Sequence, residues 1–576
     1  MAQHLAAAQK CRNSSGKAAY RKAPAACLPA FLGALLAALT LGVAPGQVGR
    51  KNQPLIQDWS NRHLIFTAGK SPVSILSPTI DPRLWNAWLE RNLVLFQPVR
   101  TPPRLLPIPG RKPQPKFKTD WAVPLNSGSG VDYSTFPAKF TFDVRALPSC
   151  TADFVVFPIN STPSTSQANI AAFNQLYRGP SSTPPPFCGT GDPATMWAYR
   201  VGSVGVRTSP VLSYPNADQV AFVESVDSDQ SAGPLVFHVL KWTPGGSITG
   251  PNTPAAGALR SVTYATNATN TRSSPFVDYD GDAAYVGSDN GYLYKITGVF
   301  KGTLAVGPPV LVTSNAKLTG AVRDPFTGLV FVSDGQYVKA YDSNLALKAE
   351  LSVSSSSTGI VDPPIVDVTN KFVYVISRYN SAGTQAAAVQ IPYSASSPWF
   401  GTPVYGDIGR TGGNYLRSGA FDNGYYTAPS SGALYVCGNQ GSGSSPDGPA
   451  LYKFTFRLIT GKMNVDPVVK NTKIGSATEE CSPLTEFSNG NDRLFLSHSG
   501  VHQVQMWQLP VASADDDKDA SYGVPNGTCG IIVDNISPEA QASSIYFSTR
   551  GAYTEKCMVS GYPRVCAVKL TQAGLQ

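Results

Sequence analysis

Three arginines stand at equivalent places in this chain. Arg207, Arg272 and Arg417 each lie two residues before a small pair: Ser209-Pro210, Ser274-Pro275 and Gly419-Ala420. Glu480 holds the same place before Ser482-Pro483. Guanidinium groups gathered at one rim can hold carboxylates through paired hydrogen bonds. This points to an anionic ligand, such as an acidic sugar or a peptide carboxylate. The competing use of the same side chains is ion pairing with nearby acids such as Asp324, Asp362 and Asp422.

Other chemistry finds less support. Asp278, Asp280 and Asp282, with Asp289 at the twelfth position, have part of a calcium-loop outline, but Ala283 stands where such a loop needs glycine. Calcium is carried only as an alternative, and no other cofactor is expected. Asp515, Asp516, Asp517 and Asp519 read as a solvated loop. His498 and His502 fall across a strand, a turn and a strand, so they lack the helical spacing of a zinc protease. His238, between Phe237 and Val239, reads as a core residue. No Gly-x-Ser-x-Gly elbow is present. A non-catalytic role is therefore expected before an enzymatic one.

Stepping outward, the elements that would position these residues repeat. Asp280-Gly-Asp-Ala-Ala-Tyr-Val-Gly-Ser-Asp-Asn-Gly-Tyr-Leu-Tyr294 is two short strands joined by a tight turn, and cruder copies recur about every 50 residues. Each unit opens with small residues, as in Ser209-Pro-Val-Leu212, Ser274-Pro-Phe-Val277 and Gly419-Ala-Phe421. Each continues with an aromatic and aliphatic strand, as in Val220-Ala-Phe-Val223, Phe372-Val-Tyr-Val375 and Ile545-Tyr-Phe547. Slim residues suit strands that crowd around an axis, and large ones fill the wedge between neighbouring sheets. The pattern predicts an all-β protein, an eight-bladed β-propeller. Seven blades is the alternative, if the Phe136 unit is an appendage. After Arg564-Val-Cys-Ala-Val-Lys-Leu570 no room remains for a fourth strand, while Asp120-Trp-Ala-Val-Pro-Leu125 has no blade of its own. Residues 121–125 are predicted to pair with 565–570 and close the ring, leaving no open edge.

The 280–294 unit, and the shortened Asp334-Gly-Gln-Tyr-Val-Lys-Ala-Tyr-Asp342, resemble the repeat of PQQ-like propellers of the quinoprotein alcohol dehydrogenase-like superfamily. Enzymes of that kind typically show vicinal cysteines over the cofactor, a calcium carboxylate, a catalytic Asp and a tryptophan-rich blade motif. This chain has no adjacent cysteines and lacks that motif, so bound PQQ and quinone-dependent redox chemistry are not expected. Asp58-Trp-Ser-Asn-Arg-His63, Phe136-Pro-Ala-Lys-Phe-Thr-Phe-Asp143, Asp153-Phe-Val-Val-Phe157, Val220-Ala-Phe-Val-Glu224 and Phe237-His-Val-Leu-Lys-Trp242 are similar to a group of exported bacterial proteins of unknown function. That likeness implies an exported propeller and says nothing of activity.

Residues 1–46 read as a signal peptide. A basic stretch precedes the apolar run from Leu28 to Val43, and Ala44 and Gly46 suit a cleavage site. Its loss removes five basic residues and no acid, so the formal charge of +9 becomes +4. The basicity therefore belongs largely to the leader, and nucleic acid is not an expected partner. Residues 47–97 form an extension. Within it, Asp81 caps a short helix whose Leu84, Trp85, Trp88 and Leu89 make an apolar stripe expected to pack on the larger domain. Residues 98–118 are a proline-rich basic linker, and 119–576 the propeller. In an oxidising compartment the mature cysteines should form disulfides. Cys150–Cys188 and Cys437–Cys481 are the natural pairs. Cys566 would take Cys557 or Cys529, leaving one thiol. The expectation is a secreted or periplasmic monomer with no transmembrane domain in its mature form. It would bind an envelope or extracellular polymer or protein, the alternative being an enzyme acting on such a polymer.

Overall fold

The computed structural model describes residues 52–67, 81–92 and 117–572, apart from 183–184, 226–233, 267, 269, 315, 413–415, 442–447, 476–479, 489–490, 536, 538 and 540. The proposed signal peptide and the linker as far as residue 116 lie outside the described residues. Lys118, placed in the linker, already belongs to a strand, β3 (Phe117–Pro124).

Eight antiparallel sheets follow one another around an axis, the arrangement of an eight-bladed propeller. Their innermost strands are Ala138–Thr141, Val211–Leu212, Phe276–Asp278, Val322–Arg323, Ile365–Asp367, Ala420–Phe421, Thr485–Ser488 and Ile532–Asn535. The Phe136 unit is a full blade of four strands, so the count is eight rather than seven. Within blade 3 the motif forms as its alternation requires, with Ala283–Gly287 pairing Tyr292–Thr297 and Val286 opposite Tyr294. Its turn needs Gly291, whose φ is +88° and where a Cβ would lie 1.7 Å from the Thr313 carbonyl oxygen.

Small residues at the hub answer a steric demand. A Cβ on Gly530 would fall 2.4 Å from the Phe136 ring. The opening serines also tie neighbouring blades together. The Phe136 N–H donates to Ser209 Oγ and the Ser209 N–H to Ser274 Oγ, each at 2.9 Å. The large cluster between blades 2 and 5 is apolar and includes Phe237, Tyr285, Phe331 and Val373.

Ring closure follows the sequence expectation. Strand β3 pairs antiparallel with Cys566–Gln572, Trp121 opposite Lys569 and Val123 opposite Ala567. It forms the outer edge of the eighth blade. This junction also buries ions. Lys569 meets Asp120 at 2.7 Å, and Lys139 of blade 1 meets Asp534 of blade 8 at 3.2 Å, all four side chains shut off from solvent. Burial holds the Lys569 ammonium below its ordinary pKa even though Asp120 opposes the shift.

The described parts of the extension fill the propeller's axis. Strand β1 (Leu55–Gln57) adds antiparallel to the innermost strand of blade 1, and β2 (Leu64–Ile65) adds parallel to that of blade 5. Because innermost strands all run the same way, this hairpin enters and leaves at the end where they finish. Its tip is the short helix α1 (Trp59–His63), closed by a capping box between Asp58 and Asn61. Trp59 is buried, donates through Nε1 to the Pro275 carbonyl at 3.0 Å, and meets the Phe276 ring edge-on. Its ring lies 3.0 Å from where a Gly320 Cβ would sit, so the hub glycine makes room for the hairpin as well as for the next blade. His63 Nδ1 lies 3.2 Å from the Pro364 carbonyl, and burial lowers its pKa.

Helix α2 (Pro82–Asn92) begins where expected, with the Asp81 carboxylate accepting from the Arg83 N–H at 2.9 Å. The expected stripe does pack on the larger domain, and a polar side of the helix is buried with it. Arg83, Asn86, Leu89 and Glu90 are buried, while Leu84, Trp85 and Trp88 are half-buried, the two indoles stacked at 5.0 Å. Leu84 packs against the cluster of blades 2 to 5, and Trp85, Trp88 and Leu89 against that of blades 1 and 8. On the polar side Arg83 donates to the Val277 carbonyl at 2.8 Å and Asn86 to that of Ile56 at 2.7 Å.

Three disulfides form: Cys150–Cys188, Cys437–Cys481 and Cys557–Cys566. Cys529 keeps its thiol, and burial pushes it up to about 11, which makes it a poor nucleophile.

Candidate functional site

The aligned arginines gather at the end of the axis where the innermost strands begin, opposite the entry of the N-terminal hairpin. What gathers them is a carboxylate from the loop that leads into blade 1. Asp132 Oδ2 lies 3.4 Å from Arg272 Nε, and its Oδ1 lies 3.5 Å from an Arg417 Nη. A second Arg417 nitrogen lies 3.5 Å from Glu480. Arg550, from blade 8, donates to the Val131 carbonyl, and its guanidinium sits 4.3 Å over the Tyr133 ring. Arg207 is buried, and its carbonyl accepts from the Thr135 hydroxyl at 2.6 Å.

The loop itself is held firmly. Leu125 N–H donates to Val565 and Gly130 N–H to Arg550, while Gly530 N–H donates to Thr135. Gly130 cannot be replaced without moving backbone, since its Cβ would fall 2.8 Å from two carbonyl oxygens of residues 549 and 550.

The charges respond to this crowding. Burial pushes the Asp132 carboxyl up, but Arg417, Arg272 and Arg550 together reverse it and hold the group well below the usual carboxylate range. Asp289, in the turn of the blade 3 hairpin, behaves oppositely. Burial raises its pKa and outweighs Lys317, Arg272 and Arg207. Lys317 is half-exposed and approaches Asp289 at 3.9 Å. The mouth therefore carries five cations, Arg207, Arg272, Lys317, Arg417 and Arg550, around four acids, Asp132, Asp289, Asp362 and Glu480. Arg272 and Glu480 also reach solvent, while Arg417 is buried.

Arg207, Arg272, Arg417 and Glu480 are thus brought together, as their equivalent spacing suggested. The acids that meet them differ from those named in the sequence. Asp324 accepts from Lys371 at 2.9 Å and Tyr393 at 2.8 Å. Asp422 caps a short helix at Asn423–Thr427. Of the three, Asp362 acts on Arg417, and its carboxylate accepts from the Ser418 N–H at 2.7 Å. Asp132, Arg550 and Lys317 were not singled out in the sequence, and Asp289 was named there only as part of the calcium outline. The available signal for Asp132 was its place in Asn126-Ser-Gly-Ser-Gly-Val-Asp132, directly before the first innermost strand.

The carboxylates of the calcium outline do not converge. Asp278 and Asp282 sit at one end of strand Ala283–Gly287 and Asp289 beyond the other, about 16 Å of strand apart. Asp278 pairs with Arg323 at 3.3 Å, and Asp282 accepts the Phe300 and Lys301 N–H groups. His238 lies in the core as expected, 2.8 Å from the Ser261 hydroxyl.

No family model and no curated protein matches the chain. Solved structures do. BamB from Moraxella catarrhalis superposes with a TM-score of 0.43 at 11% identity, covering 79% of this chain and 97% of its own. Sqt1 from Chaetomium thermophilum gives 0.47 at 10%, covering 80% and 98%. A putative 6-phosphogluconolactonase from Bacteroides uniformis gives 0.38 at 12%, covering 65% and 97%. At these values they assign no family, and the fold rests on the sheet order itself. Among the described residues, no helix is long and apolar enough to cross a membrane.

Proposed function

We propose that this chain is an exported, PQQ-like propeller that binds or scaffolds, and that the arginine-ringed mouth receives an anionic ligand, an acidic glycan or a peptide carboxylate. The observation that carries the reading is the surplus of cations around Asp132, with Arg272 and Lys317 reaching solvent at its rim. A carboxylate is the natural partner of such a rim, since the loop already places one there. The three disulfides fit an oxidising compartment, the periplasm or the cell exterior. A monomer working on an envelope polymer or protein fits the closed ring.

Binding is favoured over hydrolysis at this mouth. A glycosidase needs one carboxyl to give up a proton and a second to attack or to activate water. Burial raises Asp289 toward the proton-giving role, but Asp132 is locked ionised between two arginines and Glu480 is paired with Arg417, so neither is free to attack or to activate water. Arg417 is too deeply buried to serve as a clean probe, so the test uses the rim. Arg272→Ala with Lys317→Ala should weaken binding of polygalacturonate or another acidic glycan by about tenfold or more. Equal binding by the double variant and the parent in a glycan screen would dispose of the proposal.

A further inference from the structure

A second cavity lies at the opposite end of the axis, and its chemistry is different. It holds about 530 Å³ and is walled by helix α2, the Asp422–Ala433 segment of blade 6, and the Phe487–Ser488 and Leu509–Pro510 edges of blade 7. That volume admits a sugar of one or two rings.

Its charged groups are mostly engaged within its own walls: Glu90, which also lines it, accepts from the Gln57 amide at 2.9 Å. Arg91 is spent on Glu486, which it holds through two bonds of 2.7 and 2.6 Å, while its guanidinium lies 3.5 Å over Tyr426. Lys453 donates to the Val511 carbonyl at 3.3 Å. Asp422 Oδ1 accepts the N–H groups of Tyr425 and Ala433. Asp492 accepts the Asn423 N–H at 2.7 Å, and burial, then the neighbouring Glu486, push its carboxyl up to about 9, so it is neutral at ordinary pH. The lining mixes both signs, Glu90 and Lys453 beside the Arg91–Glu486 pair, and offers no rim of a single sign to an ion.

Two lining residues keep a buried polar atom without a partner, Asp492 at Oδ1 and Asn535 at its amide nitrogen. Asn535, at the end of the eighth innermost strand, lines the cavity and is 3% exposed. Its Oδ1 accepts from the Ser543 hydroxyl at 2.7 Å, but its Nδ2 donates to nothing. A buried unused amide donor is costly and asks for an acceptor. The same cavity is lined by the hydroxyl residues Ser430, Ser488 and Thr455 and by Phe487, Leu509 and Pro510. Hydroxyls together with hydrocarbon suit a pyranose ring, whose hydroxyls both give and take and whose C–H face is apolar.

We propose that this cavity is a binding site for a neutral saccharide, distinct from the anion-binding mouth. The amide of Asn535 donates to a sugar hydroxyl, and the blade 6 segment around Ser430 forms one wall.

The test uses the full chain and saturation-transfer NMR with glucose, galactose, mannose and N-acetylglucosamine, each also as its β-linked disaccharide. At least one should receive magnetisation. Asn535→Asp keeps the acceptor to Ser543 but removes the donor, and should weaken that sugar about tenfold. Ser430→Trp fills the cavity from its wall and should abolish the signal while circular dichroism stays unchanged. The rim double variant, Arg272→Ala with Lys317→Ala, should bind the sugar as the parent does, which separates this proposal from the mouth. No transfer to any sugar, or undiminished binding by Ser430→Trp, would overturn it.

Discussion

The two ends of this propeller's axis are closed in opposite ways. At one, a loop delivers a single carboxylate, Asp132, into a ring of arginines. At the other, a helix presents a polar stripe, and its one strongly placed cation, Arg91, is neutralised by Glu486. The first end gathers more cations than acids, while the second mixes both signs in its lining. The difference shows that the hub dictates only crowding. What plugs each end decides whether an ion or a neutral molecule suits it.

The largest expected effect lies at the charged end. Asp132→Asn leaves buried Arg417 without its nearest counter-charge and should cost about 3–5 kcal/mol in urea unfolding. The pH dependence has a definite sign. Asp132 has its pKa lowered on folding, so its contribution is present above the ordinary carboxylate range and is lost as pH falls through the folded value. A neutral Asp132→Asn would break the contrast, because the arginines would then be balanced by solvent.

The other end should respond in the opposite direction. Asp492 is neutral in the fold up to about 9 but ionises near 4 when unfolded. Between those values the unfolded chain binds fewer protons, so the residue's effect on stability worsens as pH rises through that window. Asp492→Asn should remove this slope and stabilise the protein by about 2 kcal/mol at pH 7, with no gain below pH 4, as read from thermal melts across pH. A loss of stability at pH 7 would mean that the carboxyl is ionised there.

The smallest effect should come from the rim. Arg272 is partly exposed, and Arg272→Ala should change stability by less than about 1 kcal/mol, less still in high salt. A larger change would make the rim a structural ion cluster rather than a surface offered to a ligand.

Much of this molecule was legible in its sequence because radial packing writes a strict pattern. Ser209, Ser274 and Gly419 must be small, and the arginines two places earlier inherit the same register. The ring closure was legible for a related reason, since Trp121 to Leu125 had no other sheet to join. The axial hairpin was not, because Leu55–Gln57 and Leu64–Ile65 are too short to show a period. The apolar stripe of helix α2 was legible as a face that meets the propeller, whereas Arg83 and Asn86, buried beside it on backbone carbonyls, gave no apolar signal. Asp132 was hidden because its partners lie far along the chain, and nothing local in a glycine and serine loop announces them.

The clasp between Asp120 and Lys569 joins groups 449 residues apart. A ribosome delivers the first of them long before the last. Until synthesis nears its end, the eighth sheet lacks its partner strand and the ring stays open. Such a nascent chain has little reason to lock early, and high contact order of this kind slows folding. A polypeptide that stays unfolded until it is finished is also one that can be threaded through a translocation pore and assembled on the far side.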